Sequence, residues 1–318
     1  MGNLPTSRVN SGRPFAQAGV DYTGPFSIKI SRNKTGKAYL AVFVCMATKA
    51  THLEVVSDLS ASAFINVLKR FIARRGKSYH IYSDNGRNFV GAKNELNELS
   101  KFFQDDQVKD KILEFTSEKL IKWTFIPPYS QHVGGLWEST VKTAKSHLKV
   151  VISQTSLTFE ELTTIFAQIE AILNSRPITP VSTDPSDLNA LTPGHFIIGA
   201  PLTAIPEPDL ENGPLNRLSR FQLLTRLVQG FCKRWSREYV TQLQARHKWK
   251  EVRLNPNLKA GALVLIRDDN ASPLQWKLGR IIQMFEGSDG LIRTVEFKTP
   301  LGVTQRAVQK ICVLPFED

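Results

Sequence analysis

Apolar and polar positions along this chain follow two periods. Gly19 to Phe26 (GVDYTGPF) reads as a short strand ended by Gly24-Pro25, and Tyr39 to Ala47 (YLAVFVCMA) is an unbroken apolar run with the length of a fully buried strand. His52 to Val56 follows as its hairpin neighbour. From about Ser62 to Arg75 the spacing turns helical: Phe64, Val67, Leu68, Phe71 and Ile72 fall on one face, Ser60 or Ser62 can cap the start, and Gly76 ends it. Tyr79 to Ser83 (YHIYS) is a further short strand that runs into Asp84-Asn85-Gly86. Leu96, Leu99 and Phe103 suggest a polar helix over about 92–104, and Ile121 to Ile126 a strand stopped by Pro127-Pro128. Two helices follow a glycine-containing loop, at about 135–152 and 158–174, the second with Phe159, Leu162, Ile165, Phe166, Ile169 and Leu173 inward.

Three meandering strands, then helix, strand, helix, strand, helix, helix, fit an α/β domain: a mixed five-stranded sheet with helices on both faces. Its limits are read as residues 13–176, after an N-terminal tail of 1–12. Between Arg176 and Pro214 stand Pro177, Pro180, Pro185, Pro193, Pro201, Pro206, Pro208 and Pro214, which no continuous helix or central strand tolerates. Residues 177–216 are therefore expected to be a linker or ordered surface arm. A basic helical segment is expected over 217–257. Over 258–318, Ala262–Arg267, Gly279–Phe285, Leu291–Lys298 and Gln305–Ala307 are short strands divided by turn residues, the pattern of a small β-barrel.

The composition agrees with a folded chain of two or three domains: 318 residues, 42% hydrophobic and 22% charged. With 41 Lys and Arg against 29 Asp and Glu, the net charge of +12 favours an anionic partner. Residues 213–318 hold 18 of the basic residues and only 9 of the acidic ones. Within them, Arg217 to Lys259 carries Lys233, Arg234, Arg237, Arg246, Lys248 and Lys250, interleaved with Phe221, Phe231, Trp235, Tyr239 and Trp249. A solvated basic helix would look the same, but phosphate-backbone binding suits so basic a chain better. If about six of these cations neutralise phosphates, log K should fall with log salt at a slope of roughly −5. A membrane surface is a poorer partner, because no clean apolar face lies opposite the stripe. The three cysteines, Cys45, Cys232 and Cys312, form no CxxC pair and no disulfide framework, which points to a reducing compartment. The longest apolar run is half a membrane span, and residues 1–20 lack a signal-peptide core, so a soluble intracellular protein is expected.

Three acids stand at the ends of these elements: Asp21 in the first strand, Asp84 at the exit of the fourth, and Glu138 in the first turns of the helix after Gly134-Gly135. Ligands collect at strand ends in open α/β sheets, where carboxylates distant in sequence can converge. Two Asp and one Glu suit a pair of Mg²⁺ (or Mn²⁺) ions bridging substrate phosphates. Each has a plain reading too: Asp before Asn-Gly is ordinarily a turn residue, and Glu near a helix start favours the dipole. Lys142, Lys145 and Lys149 lie four, seven and eleven positions after Glu138, on its helical face, apt for phosphate contacts beside a metal ligand or for a solvated face.

GVDYTGPF, YSDNGRNF and PPYSQHVGGLWESTVKTAK resemble the three acid-bearing motifs of the integrase core of retroviruses and long-terminal-repeat retrotransposons, within the RNase H-like superfamily. Asn174-Ser175-Arg176-Pro177 and the C-terminal extension are similar to the Pao/BEL class, and the likeness spans about residues 13 to 315. It implies an RNase H-like core followed by a small SH3-like β-barrel, and two Mg²⁺ or Mn²⁺ ions held by Asp21, Asp84 and Glu138. The implied activity is trimming of element DNA ends and attack of the freed 3′-hydroxyl on target DNA. Asn85 would steady the second acid's loop, Gln131 would sit near the DNA end, and Lys142 and Lys145 would contact element DNA. A homo-multimer on double-stranded DNA, in the nucleus at the time of integration, follows from the same likeness.

Two departures stand out. The interval from Asp84 to Glu138 is long, which places an insertion around Asp105–Lys119. The family's His/His/Cys/Cys zinc module has no counterpart before Asp21, so no zinc is expected and the chain reads as a polyprotein fragment or truncated copy. A catalytically idle DNA-binding remnant and an RNase H-like nuclease that only hydrolyses therefore stand as alternatives to the joining enzyme.

Overall fold

Five strands form the first sheet: β1 (Gln17–Ser31), β2 (Lys34–Cys45), β3 (Thr51–Val56), β4 (His80–Asp84) and β5 (Lys122–Ile126), in the order β3-β2-β1-β4-β5. The β1/β2 and β2/β3 pairs are antiparallel, and β1/β4 and β4/β5 are parallel, giving the mixed sheet expected. The computed structural model describes residues 12–84, 102, 105–126, 146–148, 150, 152, 155–210, 218–244, 258–268, 272–288 and 290–315. The chain divides into two units, Met1–Leu173 with Ser219–Val228 and Asn174–Leu218 with Gln229–Asp318.

In the first unit, β1 does not stop at Gly24-Pro25 as the sequence suggested. It runs on to Ser31, with a register shift between Thr23 and Phe26 across the cis Gly24-Pro25 bond. Proline survives in this central strand because the irregularity falls where its missing N–H would have paired. Helix α1 (Ala61–Arg75) begins at Ser60, whose side chain accepts the Ala63 N–H, and ends at Gly76. It buries Phe64, Val67, Leu68 and Phe71, and the Phe71 ring stacks on Phe43 of β2 at 4.1 Å. The edge of β3 is blunted by a side chain, since the Leu53 N–H donates to Glu170 Oε2 at 2.8 Å.

Helix α2 (Asp106–Glu118) fills the interval that the sequence offered only as an insertion. Asp105 caps it, accepting from Gln107 and Val108, while Ile112 and Thr116 are its buried positions. So narrow an apolar face leaves little periodicity to read. Helix α3 (Phe159–Asn174) lies where expected. Of the expected helices at 92–104 and 135–152, residue 102 and residues 146–148, 150 and 152 are described, and all are helical.

The second unit opens with a two-strand ladder, β6 (Thr179–Pro180) and β7 (Ala190–Leu191), and the short helix α4 (Pro193–Ile198) with proline at its tolerated first position. Helix α5 (Arg220–Leu243) begins in the first unit and continues here. Strands β8 (Leu263–Ile266), β9 (Leu278–Glu286), β10 (Ile292–Thr299), β11 (Gly302–Ala307) and β12 (Ile311–Val313) form an antiparallel sheet ordered β11-β10-β9-β8-β12, with a 3₁₀ turn at Val308–Lys310. That order fits an SH3-like domain. The barrel expected from the sequence is not closed among the described residues: β11 and β12 are the two edges. The three residues of β12 pair with β8, and β11 is exposed along nearly its whole length.

Alternation along β8 sends Val264 and Ile266 to one core with Ile281, Val295 and Phe297, and Leu263 and Leu265 to another with Val240, Cys312 and Leu314. Gly279 admits the Phe297 ring, which would lie 2.7 Å from a β-carbon there.

The proline-rich stretch is tied to this unit by hydrogen bonds. The buried Arg280 guanidinium donates to the carbonyls of Ser182 (2.7 Å), Asp187 (2.9 Å) and Gly261 (2.8 Å). Tyr239 donates to the Pro177 carbonyl, Trp276 to Ser175 Oγ, and Thr179 to the Pro315 carbonyl.

Candidate active site

Strand β1 presents Asp21 between two buried neighbours. Val20 and Tyr22 are 0% and 3% exposed, and alternation turns Asp21, which is only half-buried, to the opposite face of the sheet. Tyr22 is locked among the rings of Phe64 and Phe102, and its burial raises its hydroxyl pKa, so it stays a neutral phenol. The Asp21 Oδ1 accepts the Tyr22 N–H at 2.7 Å, which holds the carboxylate against its own backbone.

Asp84 is the last residue of β4. Just before it, Ser83 is buried and accepts a hydrogen bond from Trp123 Nε1 at 3.0 Å, so the end of β4 is pinned to β5. The parallel ladder between β1 and β4 pairs Gln17 with His80, Ala18 with Ile81, Gly19 with Tyr82 and Val20 with Ser83. The next position on β1 is Asp21 and the next on β4 is Asp84. The two acids thus occupy matching positions at the end of one ladder, on strands about 4.8 Å apart.

On β4, His80 stacks on Tyr82 with ring centres 4.0 Å apart, and its Nε2 meets Thr124 Oγ1 at 2.8 Å. Burial, with Lys122 adding to it, holds its pKa below the ordinary imidazole value, so the ring is neutral at pH 7.

The other residues expected in the site divide by location. Glu138, Asn85, Gln131, Lys142, Lys145, Lys149, Arg246, Lys248 and Lys250 lie outside the described residues, as does the side chain of Asp84. Among the described residues no group of three or more His, Cys, Asp or Glu is assembled. Lys233, Arg234 and Arg237 are on α5, and Arg237 borders a shallow pocket with Arg267, Trp276 and Lys277. Two of the aromatic residues interleaved with them, Phe231 and Trp235, are closed to base stacking. Phe231 and Trp235 are 0% and 1% exposed, because α5 spends that face on packing and Trp235 stacks on Tyr239 and meets Trp276 edge-on. Arg234 and Arg237 are exposed where these two rings are not, a division by helix face that a linear reading of the segment does not show.

Residues 13–131 match the integrase core domain family. They are an integrase core domain. The matched stretch contains both Asp21 and Asp84. Residues 219–314 match a family of unknown function, DUF5641. No curated protein matches the chain.

Among solved structures, the simian T-cell lymphotropic virus intasome in complex with the PP2A regulatory subunit B56 gamma is similar at 14% identity and a TM-score of 0.39, over 100% of this chain and 85% of that one. The catalytic core domain of BIV integrase is similar at 14% identity and a TM-score of 0.37, over 58% of this chain and 95% of that one. The HTLV-2 integrase catalytic core domain in complex with magnesium is similar at 20% identity and a TM-score of 0.32, over 51% of this chain and 88% of that one.

Proposed function

We propose that this chain is the core and C-terminal part of a Pao/BEL-type retrotransposon integrase, which trims the ends of element DNA and joins them to target DNA. The observation that supports this reading is the β1/β4 ladder, whose last pair, Val20 with Ser83, immediately precedes two carboxylate residues, Asp21 and Asp84. Such a donor set fits Mg²⁺ or Mn²⁺. Asp21, Asp84 and Glu138 would hold two ions, and bound divalent ions supply Lewis acidity on both sides of a phosphorus.

Around them the chain's own residues orient the nucleic acid. Asn85 steadies the turn after the second acid, Gln131 lies at the DNA end, and Lys142, Lys145 and Lys149 meet phosphates of element DNA. Lys233, Arg234, Arg237, Arg246, Lys248 and Lys250 extend that contact along the duplex. In the first reaction water attacks a phosphodiester near the element end and releases the terminal nucleotides. In the second, the freed 3′-hydroxyl attacks a target phosphodiester, forming one P–O bond as the target's own 3′-oxygen leaves. Two such joins need two active sites, so the working form is a homo-multimer on double-stranded DNA.

The deciding experiment supplies Mn²⁺ and a labelled duplex bearing the element's terminal sequence. Joined products are expected. Nicks without joining would make the chain a nuclease, and salt-sensitive retention without turnover would make it an idle DNA-binding remnant. Asp84→Asn is expected to lower turnover by several orders of magnitude while leaving thermal unfolding unchanged, and undiminished turnover would remove Asp84 from the site.

A further inference from the structure

The first hairpin extends past the core that holds its base. Beyond Phe26, β1 and β2 pair Ser27 with Lys37, Ile28 with Gly36, Lys29 with Thr35 and Ser31 with Lys34. Every residue from Lys29 to Thr35 is exposed. The stem is fixed: Ile28 bridges Leu157, and the Lys29 N–H donates to the Leu157 carbonyl at 2.7 Å. Nearby, Glu161 is engaged by Arg220 at 2.6 Å, which removes its charge as a competitor for the tip.

The tip carries Lys29, Arg32, Lys34 and Lys37, and between Asp21 and Glu54 the chain contains no acidic residue at all. Cross-strand partners share a face, so Lys29 and Lys37 are diagonal neighbours on one face, about 7–8 Å apart at their backbones. Lys34 stands on the other face, which Gly36 keeps open for Ile30: a β-carbon at Gly36 would lie 2.6 Å from the Ile30 side chain. Four cations on a stiff two-stranded ribbon form a projection that fits a groove of duplex DNA, with one phosphate-bearing strand on either side. Lys29 is eight residues beyond Asp21 along β1, about 27 Å at strand rise, which is within one turn of B-form DNA, about 34 Å.

We propose that this hairpin tip grips the phosphate backbone of duplex DNA through Lys29, Arg32, Lys34 and Lys37, independently of base sequence. The inference rests on the DNA-joining reading and adds to it a contact surface on the core domain. Phosphate contacts carry no base information, so the tip sets position and affinity and leaves specificity elsewhere.

The test measures binding of the full chain to a 30-base-pair duplex of arbitrary sequence by fluorescence anisotropy across a salt series. It compares wild type with Arg32→Ser/Lys34→Thr and with Lys111→Gln/Lys119→Gln, an equal loss of charge from exposed positions at α2. The tip pair is expected to weaken binding about tenfold or more near 0.1 M salt and to make the log–log slope shallower by roughly 1.8, while the second pair leaves the slope near wild type. Arg32→Lys/Lys34→Arg should restore both quantities, which separates charge from any disturbance of folding. Equal effects from the two charge-removing pairs, or none from the tip pair, would overturn the inference alone. Wild type that fails to bind duplex at any salt would remove the DNA-joining reading and the inference together.

Discussion

His52 shows how a single side chain couples three elements. It is 1% exposed, with Nε2 at 3.2 Å from Glu54 Oε1 and Nδ1 at 3.1 Å from Glu170 Oε2, so it links β3 to α3. Arg70 and Arg74 of α1 hold Glu54 at 2.7 Å and 2.9 Å, and Arg75 pairs with Glu170. Burial alone would push the pKa of His52 down, but the carboxylates of Glu170 and Glu54 outweigh it, and the value ends above that of free imidazole. Burial likewise pushes Glu54 up, and His52 and Arg70 outweigh it, so that carboxyl ends below its usual range. A raised histidine pKa adds stability that is complete below about pH 6.5 and is lost as pH rises through the folded value. Urea unfolding of wild type and His52→Gln is therefore expected to differ most at pH 6 and least at pH 9. A difference that grows with pH would reject the ionic role. Glu54 stands two residues from His52, on the same face of β3, but nothing in the sequence around His52 names Glu170, 118 residues away; Asp21 and Asp84 stood out as candidates because carboxylates are the usual ligands of hard divalent cations.

At the scale of elements, local chemistry was read more reliably than ends and irregularities. Helix α1 was legible from five apolar residues at helical spacing, and the structure selects Ser60 over Ser62 as its cap, with the Ala63 N–H at 3.1 Å from Ser60 Oγ. Ser60→Ala should lower the unfolding free energy by about 1 kcal/mol, measurable by denaturant titration, while Ser62→Ala should change it by far less. Helix α2 was missed since only Ile112 and Thr116 mark its buried side. Strand β1 was cut short because Gly24-Pro25 is ordinarily a stop, and only the β2 ladder, which resumes at Phe26 after a register shift, explains how the strand continues through it. In the second sheet, Gly279→Ala would drive a methyl group into Phe297, an overpacking that costs about 1–3 kcal/mol and is measurable as a lower melting temperature.

Across the whole molecule, the net charge of +12 would make the proposed retention of DNA a salt-dependent quantity. If about six phosphates are neutralised, raising salt from 50 to 200 mM should weaken retention roughly 10³-fold, and a flat response would refute phosphate-backbone binding. The sequence by itself determined the α/β order of the core, the basic character of the C-terminal third and the identities of the three candidate acids, since periodicity, charge and ligand chemistry are local or additive properties. Tertiary structure alone decided that the β1/β4 ladder ends just before Asp21 and Asp84, that Phe231 and Trp235 serve packing, that the C-terminal sheet is not closed among the described residues, and that Arg280 fastens the proline-rich stretch to its unit. Each of those outcomes depends on register, burial or a hydrogen bond between residues far apart in the chain, and such pairings acquire an energy only when the backbone brings their partners within a few ångströms.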